Sequence, residues 1–474
     1  MSDRTMRDLT MRQGLMSLGL AALLGTSGCM SLVPEYQRPA APVPAAYPDD
    51  QAAAAATAAA DIDWQAYFAD PRLKRLVEIA LANNRDLRIA VLNIEQARAT
   101  YQIRRADELP SVGAGFNAQR QPGGNGSLVN TYSVGLAVTG YELDLFGRVR
   151  SLSQAALAQY LATDEARKTV QIALISAVAN GYLNLLADDE LLRVTRDTLV
   201  TREESLKLTK LKFDNGAASE LDFRQAEGLL EGARVALAST LRQRALDENA
   251  LVLLLGQGLP GELPAALPLA GQQVSAELPA GLPSDLLARR PDVRSAEQQL
   301  IAANANIGAA RAAFFPRITL TANAGTASTE LSGLFKGGTW AVTGTAQLLQ
   351  PIFDAGRNRA NLDVAKVGRD IAVAQYEKAI QTAFREVADS LAGRATLGEQ
   401  LRAQIAQRNA AEISFKLADL RYRNGAASYL DVLDAQRALF TAQQATVQVQ
   451  ALQVQNLVTL YKVLGGGWKE GATN

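Results

Sequence analysis

The sequence contains no histidine and a single cysteine, Cys29. The first absence removes imidazole acid–base catalysis and most zinc sites. The second excludes any intrachain disulfide. Net charge is missing too: 48 lysines and arginines balance 48 aspartates and glutamates, so no overall field draws the chain to nucleic acid. Aromatic residues make up only 6% of the chain, whereas alanine and glutamine are abundant. That composition suits close helix contacts through small side chains rather than one thick core. No phosphate loop, metal-ligand cluster or nucleophile with a base is visible, so no catalytic residue, metal or soluble cofactor is expected.

Proline is also absent from Arg148 to Lys212, which has one interior glycine, Gly181. Apolar residues recur there at helical spacing: Leu152, Ala156, Tyr160, then Leu174, Val178, Leu185 and Leu192. The pattern predicts one helix of roughly 100 Å, of the kind found in coiled coils and helical stacks. It turns at Asn215-Gly216 and returns as a helix over Ser219 to Leu255. The unit then recurs. Leu417 to Ser428 echoes Leu208 to Ser219, with Asn-Gly-Ala-Ala-Ser identical, after a second proline-free arm from Arg357 to Arg423. Gly147-Arg148 matches Gly356-Arg357, Pro110 matches Pro316, and Asp86-Leu87-Arg88 matches Asp292-Val293-Arg294, each pair roughly 206 to 209 residues apart. The chain is a tandem duplication. Length alone would allow two or three globular domains, but each half contributes to one body.

The halves are framed by low-complexity segments. Residues 1–28 read as a signal peptide: a mildly basic start at Arg4, Arg7 and Arg12, then an apolar run from Leu15 to Leu24 too short to span a bilayer. Thr26-Ser27-Gly28-Cys29 is similar to the cleavage box of bacterial lipoproteins, with threonine where leucine is usual. Processing there would leave Cys29 as an acylated N-terminus; the alternative is a plain signal peptide with an incidental cysteine. Residues 29–63 are proline- and alanine-rich and are expected to be extended. The first repeat occupies 64–258, a proline-rich linker 259–283, the second repeat 284–465 and a short tail 466–474. Within the first repeat a helix is predicted over Arg72 to Glu108. In the second, helix resumes at Ser284, restarts at Pro291 and runs to Phe314, and a final helix spans Ser428 to Leu464 before Gly465-Gly466-Gly467.

Each repeat also carries two segments of period two. Val112, Ala114 and Phe116 alternate with glycine, serine and asparagine; Tyr132, Val134, Leu136 and Val138 follow. Ile318, Leu320 and Ala322 form the third segment, and Trp340, Val342, Ala346 and Leu348 the fourth. These are strands with one apolar and one polar or small face, each about 10 residues, the length a tilted membrane strand needs. A small soluble sheet packed on helices has the same signature. Four strands cannot close a barrel, and an open edge in lipid leaves backbone groups unpaired. If the strands enter a membrane, copies must share them, and three copies give about twelve.

The order of helix, two strands, long helix, Asn-Gly turn and helix, all duplicated, resembles the TolC-like outer-membrane efflux factor family, particularly its lipoprotein branch. The resemblance is carried by Pro34 to Pro39, Trp64 to Ala97 around Phe68-Ala69-Asp70-Pro71, Leu287 to Val293, Leu430 to Arg437, and Leu460 to Trp468. It implies a mainly α fold with a small β part: a homotrimer whose helical hairpins form an α-barrel across the periplasm, joined to a twelve-stranded barrel in outer-membrane lipid. The implied partners are a periplasmic adaptor (membrane fusion protein) and a proton-driven inner-membrane pump of the RND type, with no nucleic acid and no cofactor beyond lipid on Cys29. The implied activity is passive efflux of drugs or other small toxic compounds, with type I protein secretion or heavy-metal efflux as the alternative duct. The hairpin tips, Asn215-Gly216 and Asn424-Gly425, would meet the adaptor.

By the same resemblance Leu430 matches a gating leucine, Asp431 and Asp434 match acidic residues of the periplasmic constriction, and Tyr422 matches a tyrosine that locks the closed tip. Ala427 replaces an arginine that completes this latch in some relatives. Asp431 has a second reading, since Ser428 with Asp431 is a capping pattern; Ser219 with Asp222 repeats it. Asp434 lies beyond the first turn, where capping does not explain it. Trp64 and Trp468 are read as packing residues.

Overall fold

A computed structural model describes residues 31–47, 62–122, 124, 126–272 and 289–468. The signal peptide with its cleavage box, Cys29, residues 48–61, the end of the linker, Ser284 and residues 469–474 of the tail lie outside them. In chain order the main elements are α1 (Pro71–Asn83), α2 (Arg85–Ala106), β1 (Val112–Pro122), β2 (Leu128–Leu143), α3 (Arg148–Asp214), α4 (Glu220–Leu255), α5 (Pro291–Ala312), β3 (Arg317–Ser328), β4 (Trp340–Leu349), α6 (Arg357–Arg423) and α7 (Tyr429–Val463). Both long arms are unbroken helices of 67 residues. The chain is mainly α with one small antiparallel sheet. It divides into two units: Met1–Ala40, Ile94–Thr163 and Ala296–Tyr376 form the first, and Ala41–Asn93, Asp164–Ser295 and Glu377–Asn474 the second.

The first unit holds the sheet, in the order β1-β2-β3-β4 with every pair antiparallel. Each repeat contributes one hairpin, and β2 with β3 joins them. The register carries the period-two pattern across all four strands. Phe116 lies opposite Val134, which meets Thr326 and then Trp340; Ala114, Leu136, Ala324 and Val342 form the next row. The intervening rows are small or polar, such as Gly113, Ala137, Asn323 and Thr343. One face is thus mainly apolar, interrupted at Thr326, and Phe116, Leu136, Trp340 and Val342 on it are exposed. Gly135 and Gly325 face each other, and a Cβ on either would collide with the opposite backbone, so this close approach requires glycine.

β2 is longer than its period predicts, at 16 residues, because a bulge resets its phase. Val138 pairs with Ala322, then Tyr141 with Leu320 and Leu143 with Ile318, so apolar residues switch from even to odd positions. Gly140 supplies the left-handed backbone at the bulge (φ 69°). Among the described residues β1 and β4 each pair on one side only, leaving a free backbone edge at both ends of the sheet.

The described part of the N-terminal segment, residues 31–47, forms neither helix nor strand and is firmly held. Arg38 grips Glu297 of α5 through Nε and Nη2 at 2.7 and 2.8 Å, and the Tyr36 hydroxyl donates to the same carboxylate at 3.0 Å. Asn304 and Arg311 donate to the carbonyls of Pro34 and Leu32. At the foot of the sheet Arg148 makes a bidentate pair with Glu142, which Arg317 also reaches at 3.1 Å.

In the second unit the helix expected over Arg72 to Glu108 is two helices. Asn84 is extended (ψ 132°); its side chain accepts from the Leu87 N–H and donates to the Leu254 carbonyl at 2.9 Å. It ends one helix, caps the next and ties both to α4. The chain ends its second helix at Ala106, short of Glu108. α1 starts at Pro71 behind Asp70, a buried cap that also accepts from the Tyr182 hydroxyl and the Gln272 amide. The described part of the proline-rich linker is thereby docked. Tyr67 stacks on Tyr461 at 4.0 Å, holding the start of the first repeat against α7.

Candidate functional site

The two hairpin tips are built alike, because the same five residues meet the same backbone demand. Gly216 and Gly425 take left-handed conformations (φ 72° and 73°) just after their long helices. The next N–H reaches back to close the helix end: Ala217 to the Lys212 carbonyl at 2.7 Å, Ala426 to that of Arg421 at 2.8 Å. Asn215 and Asn424 each donate their amide to the carbonyl four residues earlier, both at 2.7 Å. Ser219 with Asp222 and Ser428 with Asp431 then form reciprocal capping boxes opening α4 and α7.

The tips pack side by side through a small apolar cluster. Ala226 and Leu229 of α4 meet Tyr422 of α6 and Tyr429, Val432 and Leu433 of α7, with Leu206, Leu208, Phe415 and Ala418 around them. Lys212 of the first hairpin places its ammonium 3.8 Å from the Tyr422 ring centre and donates to the Tyr422 carbonyl at 3.2 Å. Burial pushes the Tyr422 and Tyr429 phenols above their ordinary range. Tyr422 thus links the second hairpin to the first within one chain.

α7 buries Tyr429, Val432, Leu433 and Gln436 and turns Leu430, Asp431 and Asp434 outward. Leu430 is 52% exposed, unusual for a leucine beside a packed cluster. The Asp431 carboxylate accepts from the Ser428 N–H at 3.1 Å, so the capping reading holds for it. Asp434 makes only a loose pair with Arg437, at 3.7 Å with both side chains exposed. The four residues singled out in the sequence thus fall into two groups: three share an open face, and Tyr422 lies behind it.

Sequence reasoning missed Lys212. The repeat held the signal: Lys212 and Phe213 stand where Arg421 and Tyr422 stand, and Phe213 stacks on Phe223 at 5.6 Å whereas Tyr422 takes a cation from the other hairpin. It also missed Asp188 on α3. That carboxyl is buried with one oxygen unbonded, and burial, reinforced by Asp247 and Asp189, pushes its pKa up to about 7.

Residues 76–257 and 282–466 match the model of a family described as outer membrane efflux protein. The chain belongs to the outer membrane efflux protein family. This efflux protein is 50% identical over 464 residues to the solvent efflux pump outer membrane protein SrpC of Pseudomonas putida, covering 95% of this chain and 98% of the relative. It is 49% identical over 471 residues to the antibiotic efflux pump outer membrane protein ArpC of the same species, covering 97% of each. Among solved structures it superposes on the open state of the Neisseria gonorrhoeae MtrE outer membrane channel with a TM-score of 0.85 and 42% identity, over 92% of this chain and 98% of that one. The efflux protein is an outer-membrane component of an efflux pump, and its α3 is a helix of that fold although one stretch is apolar enough to pass for a membrane span.

Proposed function

We propose that the chain is the passive exit duct of a tripartite pump, working as a homotrimer with a periplasmic adaptor and an RND-type inner-membrane pump. The observation that carries this reading is the sheet: one mainly apolar face and, among the described residues, two unpaired edges in a single chain. In lipid such edges must be paired. Three copies joined β1 to β4 give about twelve strands and a barrel wide enough for a water-filled bore.

The exposed face of Leu430, Asp431 and Asp434 lines the constriction at the tips, where threefold repetition would set rings of carboxylate around the path. Asn215-Gly216 and Asn424-Gly425 meet the adaptor. Cys29 carries the lipid that anchors the N-terminus. The names of the relatives support solvents and antibiotics as cargo over secreted protein. Expression in a strain that keeps its pump and adaptor but lacks the outer-membrane component tests this. Restored tolerance to toluene and to antibiotics supports the reading; restored protein secretion without tolerance contradicts it.

A further inference from the structure

α3, α6 and α7 leave a cavity of about 80 Å³ between them, whose lining includes Thr201, Arg202, Phe415, Gln436, Leu439 and Phe440. Two polar side chains in it each keep one buried atom unpaired. Arg202 is only 6% exposed, yet no carboxylate bonds to it among the described residues. Its Nη1 donates to the Leu229 carbonyl at 2.9 Å, and its guanidinium lies 5.1 Å from the Phe440 ring centre. Nε is buried without an acceptor. Gln436 is likewise 6% exposed, with Oε1 unpaired.

The neighbouring acids are engaged elsewhere. Asp197, at the same cavity, accepts from Arg193 at 2.9 Å, and Asp434 sits beside Arg437. Burial and the Arg437 charge hold the Arg202 pKa below its ordinary value, against a smaller opposing pull from Tyr429. A buried cation with one open edge asks for an anion rather than for water alone. The Leu229 bond occupies Nη1 and leaves the Nε–Nη2 edge, whose two parallel N–H bonds match the two oxygens of a carboxylate. The Gln436 amide, turned by half a rotation, offers a third donor. Phe415, Leu439 and Phe440 supply an apolar wall, and the volume exceeds what one water needs.

We propose that this cavity binds a small aliphatic carboxylate of the acetate–propionate class, bidentate on the Nε–Nη2 edge of Arg202 with its alkyl end against Phe415, Leu439 and Phe440. The bound anion bridges α3 to α7 and so ties the first hairpin to the second. The proposal does not depend on the duct reading.

The test uses the purified full chain in detergent, with propionate titrated against chloride at matched ionic strength. Propionate should raise the thermal midpoint saturably, by about 3 °C when the site is full, and chloride should not. Arg202→Met with Gln436→Leu removes the charge and the amide together and should abolish the response. Leu439→Trp, which fills the cavity while keeping Arg202, should abolish it independently should the double variant fail to fold. Crystals soaked in 3-bromopropionate should show an anomalous peak beside Phe440. Equal responses to propionate and chloride, an unchanged response in the variants, or water alone in the cavity would overturn the proposal.

Discussion

Asp431 and Asp434 lie three residues apart on one exposed face, but the structure gives them different work. Asp431 closes a capping box with Ser428, and Asp434 has only a loose pair with Arg437. Replacing either with alanine should raise the single-channel conductance measured in planar bilayers. Only Asp431→Ala should also lower stability, by about 1 kcal/mol from the lost cap, read as a fall in thermal midpoint. The box was legible because Ser-x-x-Asp is a local pattern. Lys212 was not, because its partner lies in the other repeat and no local rule pairs them. Lys212→Met should cost about 0.5–1 kcal/mol and raise conductance by loosening the hold on Tyr422. Asp188 gives a pH-dependent prediction. Its folded pKa of about 7 lies above the ordinary carboxyl value of 3.8, so the folded chain holds its proton through a window where the unfolded chain has lost it. Stability from this site is therefore greatest at low pH, falls as pH rises through that window, and stays reduced above about pH 7. Asp188→Asn should match wild type near pH 4 and exceed it by about 1–2 kcal/mol at pH 8, measured by thermal melts across the range.

At the scale of elements, the long helices could be read to within a few residues, since a 67-residue arm with no proline and caps at its turns leaves few alternatives. The break at Asn84 was hidden because Asn83-Asn84 sits inside an uninterrupted apolar pattern, and the reason for the break is a bond to Leu254 on α4. The extra length of β2 was hidden for a related reason: the bulge at Gly140 shifts the apolar residues from even to odd positions, and a period-two reading stops where the phase changes. The glycine pair at the join of the repeats gives the sharpest test at this scale. Gly135→Val or Gly325→Val forces a side chain into the opposing backbone and should separate the two hairpins. Either variant should yield far less folded protein in outer-membrane fractions than wild type, whereas Gly113→Val on the uncrowded edge strand should not.

For the whole molecule, the decisive feature is an incompleteness. The sheet within one chain ends in two bare edges, β1 and β4, and exposes its apolar face. Period-two alternation alone leaves a soluble sheet and a membrane sheet equally open in the sequence. The outer membrane efflux protein family settles that choice, and the edges then require further copies. The most direct test is the mass of the protein extracted from the outer membrane in mild detergent, by native mass spectrometry. The account predicts three chain masses, stable until the sheet is melted. A folded single-chain species that keeps its strands in lipid would contradict it.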